Sequence, residues 1–76
     1  MDADELDEVR RRWGLSGAQL AKVLCLHSTK LSEYLGGVSR IPCSLAYAVE
    51  SLDLLSEAQR RALFDKRLAR PTHGRE

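Results

Sequence analysis

The sequence has little of what marks membrane, secreted or disulfide-rich proteins. No apolar run approaches the roughly 20 residues that cross a bilayer. The N-terminus is acidic, which is the reverse of a secretory signal. Only two cysteines are present, Cys25 and Cys43, too few for a disulfide scaffold. We therefore expect a cytoplasmic protein with two buried or half-buried thiols.

Patterns that carry catalysis or bind metal are also scarce. The chain has no glycine-rich phosphate loop, its cysteines have no paired histidine and acid, and 76 residues are too few to enclose a substrate cleft. Cys25, His27, Cys43 and His73 could be imagined as zinc ligands, but their spacing matches no common zinc pattern. We expect no enzyme, no metal, no cofactor and two surface histidines.

Signals for β-strands are missing, since β-branched residues are sparse and no stretch alternates convincingly between apolar and polar residues. At 43% hydrophobic and 30% charged, the composition is typical of a globular chain. There is no internal repeat and no long linker. We expect one all-α domain over residues 1–70 and a flexible tail over residues 71–76.

Helix start and stop signals predict five helices. Ser16 and Ser56 each precede a glutamine at the spacing of a capping box, and Gly14 and the pair Gly36-Gly37 supply stops. The expected ranges are Asp4–Trp13, Gly17–Leu24, Ser28–Leu35, a fourth helix from Cys43 or Ser44 through Leu52, and a fifth from Ser56 to about Arg70.

Apolar spacing predicts which faces are buried. The core assignments are Trp13, Leu20, Leu31, Tyr34 and Leu45, and the stripe of the fourth helix is Leu45, Ala48, Val49 and Leu52. The fifth helix has apolar residues on more than one face. Leu63, Phe64 and Leu68 are therefore candidates for a dimer interface, or alternatively cap the core.

Charge is distributed unevenly although the net charge is only +1. Residues 1–8 hold five acids and no base, whereas residues 9–49 hold six bases and one acid, Glu33. A basic central segment is typical of a surface that faces phosphates. The pattern favours nucleic acid as a partner.

The most informative feature is the pair of short predicted helices, residues 17–24 and 28–35. Only Cys25, Leu26 and His27 join them. Helices this short cannot pack antiparallel through such a turn, so we expect them to cross steeply. The second helix can then project, and an α-helix fits the major groove of DNA.

A series of residues from Leu15 to Leu52 resembles the lambda-repressor-like helix-turn-helix family of the Cro and phage-repressor type. The matching residues are Leu15-Ser16, Leu20-Ala21, Leu31, Tyr34, Gly37, Pro42, Leu45 and Ala48. The resemblance implies a compact five-helix domain. It also implies an autoregulatory transcriptional repressor of a phage or mobile element that binds a palindromic operator in double-stranded DNA as a homodimer. The segment from Pro42 to Leu52 also resembles the small regulators encoded beside anti-CRISPR genes in phages.

Two positions depart from the family pattern. Cys25 replaces the usual glycine of the turn, where φ is often positive. Leu35 replaces an acid that many members pair with an arginine of the first helix. We therefore expect Arg10 to lack that partner and to be free for phosphate or solvent.

Carried over residue by residue, the resemblance implies a DNA-contacting surface. The expected base contacts are Ser28, Thr29, Ser32 and Glu33. The expected phosphate contacts are Gly17, Gln19, Lys22, His27, Lys30 and Arg40. Arg40 is the strongest phosphate candidate, and Lys22 is a weaker one, as are Arg11 and Arg12. Glu33 either accepts from a cytosine amino group or is a solvated surface acid. The alternative function is an antitoxin-like or adaptor module that uses the same fold to bind another protein.

Overall fold

Five helices and no strand make up the part of the chain that the structure describes, residues 1–69 of a computed structural model. The helices are α1 (Ala3–Trp13), α2 (Gly17–Val23), α3 (Ser28–Leu35), α4 (Cys43–Asp53) and α5 (Glu57–Leu68). The all-α prediction is confirmed. The end of the fifth helix expected at Arg70 and the tail over residues 71–76 lie outside the described residues. None of the described helices has the length and apolar character needed to traverse a bilayer.

Capping boxes begin three of the helices. Ser16 accepts a hydrogen bond from the Gln19 N–H (3.1 Å), and the Gln19 side chain accepts from the Ser16 N–H (2.9 Å). Ser56 and Gln59 repeat this arrangement at α5. A further box formed by Asp2 and Glu5 begins α1 at Ala3, one residue before the predicted start. Each box satisfies N–H groups that have no partner within the helix.

Three helices end with a residue in the left-handed conformation: Gly14 after α1 (φ 71°), Cys25 after α2 (φ 60°) and Gly37 after α3 (φ 76°). After α2, the Cys25 N–H donates to the Lys22 carbonyl (3.3 Å) and the Leu26 N–H to the Ala21 carbonyl (2.8 Å). This pair of bonds is a Schellman motif. The positive φ expected at Cys25 is confirmed.

Side chains from all five helices form one core. Its fully buried members are Leu6, Leu20, Leu31 and Val49. Helix α3 packs on α1 and α2, while α5 packs on α2 and buries Phe64. Leu20, Leu31 and Tyr34 are buried as predicted, whereas Trp13 and Leu45 are half-buried at the edge.

The predicted stripe of α4 is wrong at one position. Ala46 and Val49 are the buried residues of this helix, and Ala48 is exposed. Consecutive helical residues lie about 100° apart, while residues separated by three lie about 60° apart. A face centred on Val49 therefore takes in Ala46 and leaves Ala48 outside.

Both cysteines are exposed, so the prediction of buried or half-buried thiols is wrong. Cys25 lies in the turn after α2, and Cys43 is the first residue of α4, directly after Pro42. Chain reversals of this kind lie at the surface. The exposure of both thiols follows from these positions.

A polar cluster around Asp53 joins the end of α4 to α1 and α5. The Asp53 carboxylate accepts from Arg12 Nη2 (2.7 Å) and Trp13 Nε1 (3.2 Å), and Arg60 Nη1 lies 4.0 Å away. Arg60 also lies over the Trp13 ring, 5.7 Å from its centroid. The hydrogen bond from Arg12, with a smaller one from Trp13, lowers the pKa of Asp53 below its usual value.

Candidate nucleic-acid interface

Helix α3 has one buried side and one uncovered side. Leu31 and Tyr34 face the core, 1% and 5% exposed. On α3 and at the residue before it, five of the residues predicted to contact DNA are exposed, namely His27, Ser28, Thr29, Lys30 and Ser32. The side chain of His27, the residue preceding α3, makes no capping hydrogen bond. These side chains are therefore accessible from solvent along the first turns of the helix.

Glu33 is bound more closely to its own chain than either sequence interpretation implies. Its Oε1 accepts a hydrogen bond from Ser39 Oγ (3.0 Å) and lies 3.4 Å from Lys30 Nζ. The side chain is 41% exposed. Glu33 is thus a partly covered acid that contacts the loop after α3.

Arg40 lies in that loop and is exposed. Among the described residues, no carboxylate lies within 4.0 Å of its guanidinium. It borders an open cavity of about 500 Å³ that Tyr34 and the acidic residues Asp2 and Asp4 also line. The acidic start of the chain therefore lies beside the loop that carries Arg40. The sequence alone did not indicate this proximity.

The first turn of α2 offers a second set of donors. A Cβ added at Gly17 would meet no atom within 4 Å, so the protein's own packing does not require glycine there. The N–H and the side-chain oxygen of Gln19 are both used in the capping box with Ser16. A phosphate at this end would meet the N–H groups of Gly17 and Ala18 and the side-chain NH₂ of Gln19.

Two basic residues proposed from the sequence are engaged within the protein. Arg10 is paired with Asp7 (2.9 Å) and donates to the Leu15 carbonyl (2.9 Å), so the expectation that it is free is wrong. Its partner is an acid within its own helix. Lys22 Nζ donates to the Leu68 carbonyl at the end of α5 (3.0 Å). Lys22 therefore bridges α2 and α5, and a phosphate contact there would compete with this bond.

The weaker candidates on α1 are paired as well. Arg11 lies 2.9 Å from Asp7, and Arg12 lies 2.7 Å from Asp53. Arg11 is 73% exposed and its pair is a surface contact of small energetic value. Arg12 belongs to the cluster at the end of α4 and is a structural residue of the fold.

The three candidates for self-association differ in exposure. Phe64 is 7% exposed and packs on Trp13, with ring centroids 5.1 Å apart. Leu68 is half-buried against the core, and Leu63 is half-buried without joining it. Three large apolar side chains are exposed among the described residues: Val38, Tyr47 and Leu54. The surface that α5 offers for self-association is thus mainly Leu63 with the outer part of Leu68.

Within residues 1–69, no three histidine, cysteine or acidic side chains are grouped so that they could hold a metal ion. His73, the fourth member of the zinc set considered from the sequence, lies outside those residues. His27 is exposed. The described part of the chain therefore gives no geometric basis for a metal centre.

Comparisons with models of protein families, with curated proteins and with solved structures each find no match to this chain.

Proposed function

We propose that this chain is a sequence-specific double-stranded DNA-binding transcriptional repressor. In this proposal α2 and α3 form a helix-turn-helix of the lambda-repressor-like type, and α3 enters the major groove. The observation that carries the proposal is that α3 is anchored by Leu31 and Tyr34 while residues 27–30 and Ser32 are uncovered. A recognition helix needs this combination, because base edges are read by side chains on a rigidly held scaffold.

The chemistry of the uncovered side fits this role. Ser28, Thr29 and Ser32 carry hydroxyls that can donate to or accept from base edges. Lys30, His27 and Arg40 supply donors for phosphate oxygens around them. The N–H groups at the start of α2 add a phosphate contact that carries no sequence information.

The functional unit in this proposal is a homodimer on a palindromic operator. One domain of this size contacts few phosphates, and pairing two copies places two recognition helices about 34–36 Å apart, one turn of DNA. The regulated gene is the protein's own, in a phage or mobile element, in the manner of the regulators that its Pro42 to Leu52 segment resembles. Repression by occupying the operator requires no effector-binding domain.

A titration of the protein with duplex DNA from upstream of its own gene tests the proposal. We expect affinity to fall by orders of magnitude between about 50 and about 200 mM salt, because several phosphates are contacted. Arg40→Ala should weaken binding to all duplexes alike, whereas Thr29→Ala should change which operator is preferred. Arg61→Ala removes the same charge from an exposed position on α5 and is the control.

If Arg40→Ala and Thr29→Ala both leave operator affinity intact, the proposed docking of α3 is wrong. If the wild-type protein binds duplex DNA without salt dependence or not at all, DNA binding itself is refuted. The adaptor alternative would then be tested by seeking a protein partner for the exposed Tyr47 and Leu54.

A further inference from the structure

Glu33 joins the last turn of α3 to the loop that follows. Its backbone carbonyl accepts from the N–H groups of Val38 (2.9 Å) and Ser39 (3.3 Å). Its carboxylate Oε1 accepts from the Ser39 hydroxyl (3.0 Å). One residue therefore fixes the loop through both its main chain and its side chain, directly before Arg40.

The same carboxylate oxygen lies beside Lys30. The distance from Lys30 Nζ to Glu33 Oε1 is 3.4 Å, and Nζ also lies 5.3 Å from the centroid of the Tyr34 ring. Both contacts of Lys30 are with residues one turn further along α3. In the free protein the Lys30 ammonium is therefore held close to the helix and its charge is partly compensated by Glu33.

We propose that Glu33 is a positioning residue of the DNA-binding surface, which orients the loop carrying Arg40, restrains Lys30 and reads no base. The DNA-binding part of this inference rests on the function proposed above. To accept from a cytosine amino group, the carboxylate would have to give up Ser39 and Lys30. A free carboxylate is in addition repelled by the phosphates on either side of the groove.

The substitution Glu33→Gln separates the anchoring of the loop from the restraint on Lys30. The amide oxygen still accepts from Ser39, but the neutral side chain no longer forms an ion pair with Lys30. We expect tighter binding to all duplexes and an unchanged operator preference. One added phosphate contact steepens the salt slope by about 0.9, so the loss between about 50 and about 200 mM salt grows by a further factor of about 3.5. The double variant Glu33→Gln/Lys30→Gln should lose this gain.

Glu50→Gln is the matched control, since it removes the same charge from an exposed position on α4. If Glu50→Gln raises the affinity for duplex DNA as much as Glu33→Gln does, the change in net charge explains the effect. That result would overturn the proposed restraint on Lys30. A change in the preferred base at one operator position in Glu33→Gln would show that Glu33 reads DNA and would overturn the inference.

Amide hydrogen exchange without DNA tests the anchoring independently of the proposed function. Glu33→Ala should speed exchange at Val38 and Ser39 several-fold, and Glu33→Gln should leave both near the wild-type rate. Equal rates in wild type and Glu33→Ala would overturn the anchoring. Absence of DNA binding by the wild-type protein would refute the proposed function. The exchange rates would still show whether Glu33 anchors the loop, because they are measured without DNA.

Discussion

At the scale of single residues, Cys25 is the position where the chain departs most from local preference. It has the same left-handed conformation as Gly14 and Gly37, but it carries a Cβ that crowds the following carbonyl. Arg67 Nη1 lies 3.0 Å from its sulfur, a contact between residues 42 apart in sequence. The Schellman bonds at the end of α2 hold the residue in this conformation and so set the start of α3.

Replacing Cys25 should show the cost of that conformation. Cys25→Gly and Cys25→Ala both lack the sulfur contact, so the two variants differ only in the Cβ. We expect the glycine variant to have the higher free energy of unfolding, by about 1 kcal/mol. Urea unfolding followed by circular dichroism measures the difference. An alanine variant as stable as the glycine variant would show that the turn is not strained.

Single basic residues were the least predictable feature of the candidate site. Arg10 is held by Asp7 and by the Leu15 carbonyl, whereas Lys22 is held by a carbonyl 46 residues away. Arg12 is held by a carboxylate 41 residues away. Sequence spacing can indicate partners within one helix, but it cannot indicate which carbonyl another helix brings into reach. The exposure of Ser28, Thr29 and Ser32 was predictable from the sequence, because helical spacing places Leu31 and Tyr34 together on the buried side of α3.

At the scale of elements, local signals set the helix ends and tertiary packing sets the faces. The bounds of α2 and α3 agree with the prediction to within one residue, since Ser16, Gln19 and the glycine pair after Leu35 act over a few positions. The buried face predicted for α4 is wrong at Ala48, because alanine is compatible with either a buried or an exposed position. The orientation of α4 depends on contacts that only the folded chain supplies.

The cluster around Asp53 fixes the end of α4 and should make stability depend on pH. Because the folded protein lowers the pKa of Asp53, its stabilisation is present above the unfolded value of about 3.9 and is lost as pH falls through the folded value. Asp53 is 37% exposed, so Asp53→Asn should cost about 0.5–1 kcal/mol near pH 7.

Urea unfolding of Asp53→Asn and wild type at about pH 7 and about pH 3 checks this prediction. The difference between the two proteins should shrink at the lower pH. Asp65→Asn, which removes an exposed acid of α5, is the control. A difference that is constant with pH would contradict the assigned role of the Asp53 carboxylate.

At the scale of the whole molecule, the fold separates a core-facing half of each helix from two kinds of exposed surface. Hydroxyls and cations lie on α3 and its following loop. Among the described residues, Tyr47 and Leu54 are exposed on and just after α4, and Leu63 is half-buried on α5. A symmetric repressor uses one surface for DNA and another for its second copy. We propose that α5 supplies this second surface, through Leu63.

Sedimentation should therefore find a dimer at micromolar concentration that Leu63→Glu converts to monomer, since a carboxylate cannot be buried unpaired between two copies. Circular dichroism confirms that the variant is folded. Leu54→Glu, which alters a side chain 88% exposed at the end of α4, should remain dimeric. Dissociation of Leu54→Glu alone would assign the interface to α4, and a monomeric wild type would remove the symmetric operator.

The most direct test of the account is to map the amide resonances that shift when operator DNA is added to the labelled protein. Docking of α3 in the major groove predicts large shifts over residues 17–18, 27–33 and 37–40, with small shifts over residues 50–60. Shifts confined to α4 and α5, with residues 27–33 unchanged, would contradict the claim that the exposed side of α3 is the surface that meets DNA.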